Sequence, residues 1–310
     1  MQTLEIESVD LASLCYLNKE RYPFLLESVN HNENNRYSIL FAFPGKKIVL
    51  DEFSDFNFLS KLENKVQIDE KNINLPFTGG WFAYLSYELI GQIESILLNN
   101  LHTSKLPIAY AVKIPCAVIA DHQSGTFQII DQDNDQDRVD RIIKDIEKLK
   151  PIPTLPFSGK LSQENEGKFI KGVNSSKDYI IAGDVFQVNL SREWRYHLSE
   201  EVESAVIYQK LKKANPAPFS ALVQYEGFSI ISSSPERLFS VNDGIVQTRP
   251  IAGTHPRGKG IHDEAQKEGL ISHPKEIAEH VMLLDLERND MGRICQYGSV
   301  FVNEVMTLET

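Results

Sequence analysis

The sequence predicts a chain of mixed helices and antiparallel strands. After Ser220, short alternating segments are separated by tight turns. Before residue 131, apolar strand segments are joined at Pro-Gly and Ser-Gly, and stretches with helical spacing lie between and after them. Each element follows from its local pattern.

Tyr37 to Phe43 and Lys47 to Leu50 are strands joined around Pro44-Gly45, a turn pair. Asn30 to Arg36 is a polar run beside Glu27-Ser28, at a strand end where a small ligand would be held, or else an ordinary hairpin loop. Asp55 to Glu70 has mixed helical spacing, and Leu75 to Gly80 breaks the chain before the aromatic run from Trp81 to Glu88, a strand or core wall. Pro107 to Asp121 is a strand interrupted at Pro115, and Ser124-Gly125 turns it into Thr126 to Ile130.

The run from Asp131 to Lys150 starts acidic and ends basic, as suits a helix dipole. Asp131, Asp133, Asp135 and Asp137 lack the glycine and closing glutamate of a calcium loop, so they read as a solvated helix start. Lys150 to Lys160 holds three prolines and is the best linker. It divides the chain into regions 1–150 and 151–310. Lys168 to Ala182 is a helix capped by Gly183, Asp184 to Ser191 alternates as a strand, and Glu201 to Ala214 is a helix stopped by Asn215-Pro216. Ala221 to Tyr225, Phe228 to Ser233, Leu238 to Val241 and Ile245 to Thr248 then form a meander, with Asp243-Gly244 as a hairpin turn. Two loops leave it: Ser234-Pro-Glu236-Arg237, and Pro250 to Gly258. The second has Gly253 and Thr254 flanked by Arg249 and Arg257, so backbone N–H groups, a hydroxyl and two cations would receive a carboxylate, unless it is a surface turn with incidental arginines.

Lys275 to Arg293 is the stretch that the rest serves. On a helix, Glu276, Glu279, His280, Glu287 and Asp290 share an arc of about 100°. Ile277, Val281 and Leu284 flank it on one side, and Ala278, Met282 and Leu286 on the other, which predicts a helix clamped on both sides with its acids aimed into a cleft. Crowded carboxylates call for a hard cation such as Mg²⁺, the alternative being a plain solvated face.

At 310 residues, 42% hydrophobic and 24% charged, the chain has the composition of an ordinary globular protein. Its net charge of −11 argues against a nucleic-acid or anionic-membrane partner, though not against a small anion met by a local cationic patch. Cys15, Cys116 and Cys295 are too scattered for zinc or redox spacing and read as free thiols. With no leader-like N-terminus and no apolar run of membrane-spanning length, a cytoplasmic location is expected.

GDVFQVNLS, SSSPERLF, TRPIAGTHPRG and KEIAEHVMLLDLERNDMGR, in this order and spacing, resemble the chorismate-utilising enzymes: the component I subunits of anthranilate synthase and aminodeoxychorismate synthase, and the isochorismate and salicylate synthases. The resemblance implies an α+β fold of large antiparallel β-sheets covered by helices. It further implies a Mg²⁺-dependent enzyme that adds a nucleophile to chorismate as a hydroxyl leaves. Carried over by motif, Glu279 and Glu276 bind the metal, Gly253 and Thr254 touch chorismate, and Glu236 donates a proton. Ser28, Asn34, Asn35, Arg36, Tyr37, Pro218, Phe219 and Ser220 correspond to a tryptophan pocket.

Within the family, FLLES, RYSILFAFPG, LPFTGGWFAYLSYEL and NPAPFSA look most like aminodeoxychorismate synthase component I. That resemblance implies an amination of chorismate for p-aminobenzoate and folate synthesis, with ammonia from a glutamine amidotransferase subunit. Ala252 departs from the lysine that many such enzymes carry there, so ammonia would add directly, as in anthranilate synthase, the alternative assignment. The family pattern continues beyond the counterpart of Thr310 with further catalytic, substrate and metal residues. This chain alone is therefore expected to expose strand edges and apolar faces and not to turn over chorismate. A tryptophan- or amidotransferase-binding module is the non-enzymatic alternative, and a Mg²⁺ hydrolase ranks last because it leaves the two loops unexplained.

Overall fold

A computed structural model describes residues 2–29, 35–53, 57–66, 75–100, 105–258 and 260–309. The expected α+β architecture is present, built on a seven-stranded antiparallel sheet and a three-stranded one. The strands in chain order are β1 (Gln2–Ile6), β2 (Phe24–Glu27), β3 (Tyr37–Ala42), β4 (Lys47–Leu50), β5 (Gly80–Leu85), β6 (Ala109–Ile114), β7 (Cys116–Asp121), β8 (Thr126–Asp131), β9 (Gly159–Gln163), β10 (Trp194–Leu198), β11 (Phe219–Tyr225), β12 (Phe228–Ser234), β13 (Ser240–Asn242) and β14 (Ile245–Gln247). The helices are α1 (Leu11–Leu17), α2 (Phe58–Glu63), α3 (Gln136–Ile146), α4 (Glu166–Ala182), α5 (Ser204–Ala214), α6 (Ile261–Ser272) and α7 (Pro274–Gly292).

The large sheet runs β1-β8-β7-β3-β2-β11-β12, and the small one β4-β6-β5. Successive side chains on a strand face opposite ways, and each core strand uses both faces. On β3, Leu40 and Ala42 join the core under α1, α3 and α5, whereas Phe41 turns to the core between the two sheets. On β6, Tyr110, Val112 and Ile114 meet that same inter-sheet core, whereas Ala109 and Ala111 face Phe58 of α2. Such two-sided burial explains why IAYAVKIPCAVIAD reads as a nearly unbroken apolar run. Phe24 stacks on Phe82 and Tyr110 on Tyr225, each with ring centroids 4.1 Å apart, which ties the sheets together.

The structure revises several local expectations. The strands flanking Pro44-Gly45 do not pair: β3 lies in the large sheet and β4 in the small one, so this turn is a corner between layers. Pro115 is a second such corner, separating β6 from β7. The meander is two hairpins, β11–β12 and β13–β14, because among the described residues β13 pairs with β14 alone. Asp184 to Ser191 forms no strand, and the strand that follows it is β10, paired with β9. The Asp55 to Glu70 stretch contributes only α2 among the described residues. Gly183 does cap α4, at φ +80°. The proline-rich stretch separates 1–150 from 151–310 in sequence, while the large sheet takes β11 and β12 from beyond it.

Asp131 is not a solvated helix start but is fully buried at the end of β8. Its Oδ1 accepts from the backbone N–H groups of Asp133 and Asp135, and its Oδ2 pairs with Arg138 Nη1 at 2.9 Å. Asp133 and Asp137 are exposed as expected, while Asp135 is half-buried and caps α3.

The cores are drawn from residues 11–142 together with α5, β11 and Ala217. By contrast α4 and α7 have no buried residue, and Ile181 (82% exposed), Phe186, Leu238 and Phe301 face solvent. The expected two-sided clamp on the acidic helix is absent among the described residues, since Val281 and Leu286 are exposed. No described helix is long and apolar enough to cross a membrane.

Asp131→Ala is expected to destabilise the chain by about 3–5 kcal/mol, because it leaves Arg138 and two backbone donors without their shared partner. Asp131→Asn, which keeps one acceptor, should cost less. Urea unfolding checks both.

Candidate functional site

The site grows from the end of the large sheet. At the end of β12, Ser234 Oγ donates to the carbonyl of Glu236 and accepts from its N–H, turning the chain sharply. Glu236 Oε1 then accepts the N–H of Ile251 at 3.0 Å, which binds this loop to the one that follows β14. The second loop is held at both ends. Thr248 donates to Glu287 of α7, and Arg257 donates twice to Asp263 of α6, at 2.8 and 2.7 Å. The Arg257 hydrogen bonds hold the Asp263 carboxyl below its usual range.

Between these anchors Gly253 has φ +72°, and a Cβ there would lie 2.7 Å from Glu276 Oε2 and 2.9 Å from Leu270. Only a residue without a side chain lets the loop approach α7 this closely. Glu276, Gly253, Thr254 and Glu236 thus face one cavity of about 410 Å³, whose lining also includes Asn35, Pro218 and Phe219.

The cavity therefore brings together residues from both candidate groups. Glu279, one turn along α7 from Glu276, is not in its lining and accepts from Gln187 Nε2 at 3.4 Å. Ser28, Arg36, Tyr37 and Ser220 also stand outside the lining. Ser28 and Ser220 are buried, Ser28 donating to the Tyr37 carbonyl and Ser220 to the Ala217 carbonyl. Arg36 lies over the Tyr37 ring and pairs with Asp121. Asn34 falls outside the described residues.

The carboxylate-receiving role read for Arg249 and Arg257 does not survive. Arg257 is committed to Asp263, and Arg249 pairs with Glu304 and Glu309, at 3.0 and 2.6 Å. Sequence reasoning also missed the 306–309 segment, which lines the cavity and whose Met306 N–H donates to His280 Nε2 at 3.2 Å. No local pattern links residues so far apart.

Glu276 and Glu279 are both partly exposed, with Lys275 near them at 3.7 and 4.0 Å. Among the described residues they belong to no group of three or more potential metal ligands. Two carboxylates still fit Mg²⁺, which takes one or two protein carboxylates and completes its shell with water and substrate oxygens. Cys15 and Cys116 are free and buried, and burial pushes both thiols up, so neither is an available nucleophile.

The profile of the chorismate binding enzymes matches residues 22–310. The chain belongs to this family. An anthranilate synthase component I-like protein of Synechocystis is 34% identical over 293 residues, covering 91% of this chain and 60% of that protein. Aminodeoxychorismate synthase component 1 of Bacillus subtilis is 39% identical over 255 residues, covering 77% and 54%. The crystal structure of anthranilate synthase component I from Streptococcus pneumoniae superposes with a TM-score of 0.74 at 26% identity, covering 92% and 68%. The chain thus spans little more than half the length of the two curated relatives. Its membership agrees with the resemblance carried by the four motifs, and the shared fold with the large antiparallel sheet.

Gly253→Ala is expected to lose about 1–2 kcal/mol from its left-handed backbone alone, and further to push the loop off Glu276. Urea unfolding measures the first effect, and weakened chorismate binding in a titration the second. The Arg36 hydrogen bonds hold the Asp121 carboxyl well below its usual range. Their contribution is therefore complete above about pH 4 and lost as pH falls further, through the folded-state value. Since Arg36 is 43% exposed, solvent screening keeps it small. Asp121→Asn should show a shallower fall of Tm than the parent between about pH 5 and pH 2.

Proposed function

We infer that the chain supplies the chorismate-binding and proton-donating part of an aminodeoxychorismate synthase component I. The convergence of Glu236, Gly253, Thr254 and Glu276 on one cavity supports this most directly. In this reading the N–H groups around Gly253 and the Thr254 hydroxyl hold chorismate. Glu236, fixed through the Ile251 N–H, in its acid form gives its proton to the departing C4 hydroxyl. Hydroxide thus leaves as water while an amino group takes its place. A Mg²⁺ held by Glu276 and Glu279 would neutralise the substrate carboxylate. Ammonia would come from a separate glutamine amidotransferase subunit.

Ala252 favours a second reading, anthranilate synthase component I. It lines the cavity at the position where the resemblance places a nucleophilic lysine, and an alanine forms no covalent adduct. Ammonia would then add at C2 as the C4 hydroxyl leaves, and pyruvate would follow.

The test combines chorismate, Mg²⁺ and an ammonium salt with the 310-residue chain, alone and with a polypeptide covering the relatives' remaining length. No turnover is expected from the chain alone. With the added polypeptide, a product retaining the enolpyruvyl group supports the first reading and fluorescent anthranilate the second. Glu236→Gln should lower the restored rate about 10²–10⁴-fold. A rate untouched by that substitution removes Glu236 from the mechanism.

A further inference from the structure

Two arginines, Arg237 and Arg249, line the cavity, Arg257 stands at the far end of the same loop, and the three are not equivalent. Arg257 is spent on Asp263, and Arg249 is neutralised by Glu304 and Glu309. Arg237, the residue after Glu236, faces both this cavity and a neighbouring one of about 360 Å³ bounded by β14 and α7. Among the described residues its Nε, shielded from solvent, meets no hydrogen-bond partner, and no acid is paired with its guanidinium.

A buried donor without an acceptor is costly, and an arginine held so has a strong preference for a planar anion that would accept from its fork. The rest of the wall sharpens that preference. Glu276 faces the same cavity and repels an anion, so an entering carboxylate needs a cation not already committed to an acid. Arg237 follows Glu236, the group assigned as proton donor, in sequence and lines the same cavity.

We propose that Arg237 is the anion-binding residue of this cavity, receiving a carboxylate of the ligand through its guanidinium. The assignment rests on the functional reading above for the identity of the ligand, a cyclic dicarboxylate, but not for the chemistry of the subsite, which any planar carboxylate would satisfy. Arg237 thereby takes the place in carboxylate recognition that the sequence assigned to Arg249 and Arg257.

The test is calorimetric titration of the full 310-residue chain and of its Arg237→Ala and Arg237→Lys variants with two probes, chorismate and benzoate, together with the Tm of each protein. Arg237→Ala should weaken both ligands by about 10- to 100-fold, as expected for loss of a charged hydrogen-bond donor. Arg237→Lys, which keeps the charge and loses the planar fork, should fall between. Because the guanidinium has no protein partner to lose, the Tm of Arg237→Ala should equal or exceed that of the parent. A lowered Tm with unchanged benzoate binding would assign Arg237 a structural role and overturn the proposal, as would a parent chain that binds neither probe. Arg237-dependent binding of benzoate without binding of chorismate would uphold the subsite and overturn the functional reading instead.

Discussion

The antiparallel ladder between β2 and β11 joins segments almost two hundred residues apart, with Phe24 opposite Val223 and Glu27 opposite Ser220. Its register is tightly fixed because both faces of both strands are used. Leu25 and Leu222 lie in the core under the helices, and Phe24 and Val223 in the core between the sheets. A slip of one residue would exchange the two sets. The ladder is reinforced at its end by Glu27, which accepts from the Tyr208 hydroxyl at 2.6 Å and pairs with Lys212 of α5. Everything in the site depends on this pairing. It sets Asn35 near Pro218 and Phe219, and it launches β12 toward the loop that carries Glu236 and Arg237.

Two kinds of order follow along the chain. The sheets and their helices enclose dry aromatic and aliphatic cores, so the first layer of the site is rigid. The loops and helices that complete the cavity are held mainly by polar contacts: Glu236 to Ile251, Arg257 to Asp263, Thr248 to Glu287, and Arg249 to Glu304 and Glu309. Exposed ion pairs contribute little stability each. Here they set loop geometry, while the exposed apolar residues of α4 and α7 leave these elements without a core of their own.

This division gives the cavity its chemistry. Two carboxylates and several backbone donors converge, and most of the cations that would attract an anion are already neutralised by acids of the same chain. Which charges remain uncommitted decides what enters, and that is a property of pairing distances, not of composition. The net charge of −11 says nothing about it.

Much of the fold was legible in the sequence. β4 matches its predicted bounds, α4 ends at Gly183 as its cap requires, and α7 fills the acidic stretch within a residue at each end. These elements follow local rules of periodicity, capping and turn chemistry, which act over a few residues. The motif order likewise sufficed to name the family. Local rules failed where the outcome depended on distant partners. Pro44-Gly45 became a corner because β4 found β6, Asp131 was buried because Arg138 and two N–H groups closed around it, and Asp184 to Ser191 stayed irregular despite its alternation. The arginines of the two loops are the sharpest case. The sequence placed Arg237, Arg249 and Arg257 near one another along the chain, but only the tertiary structure decided which of them met a carboxylate, because an ion pair is set by distance in space.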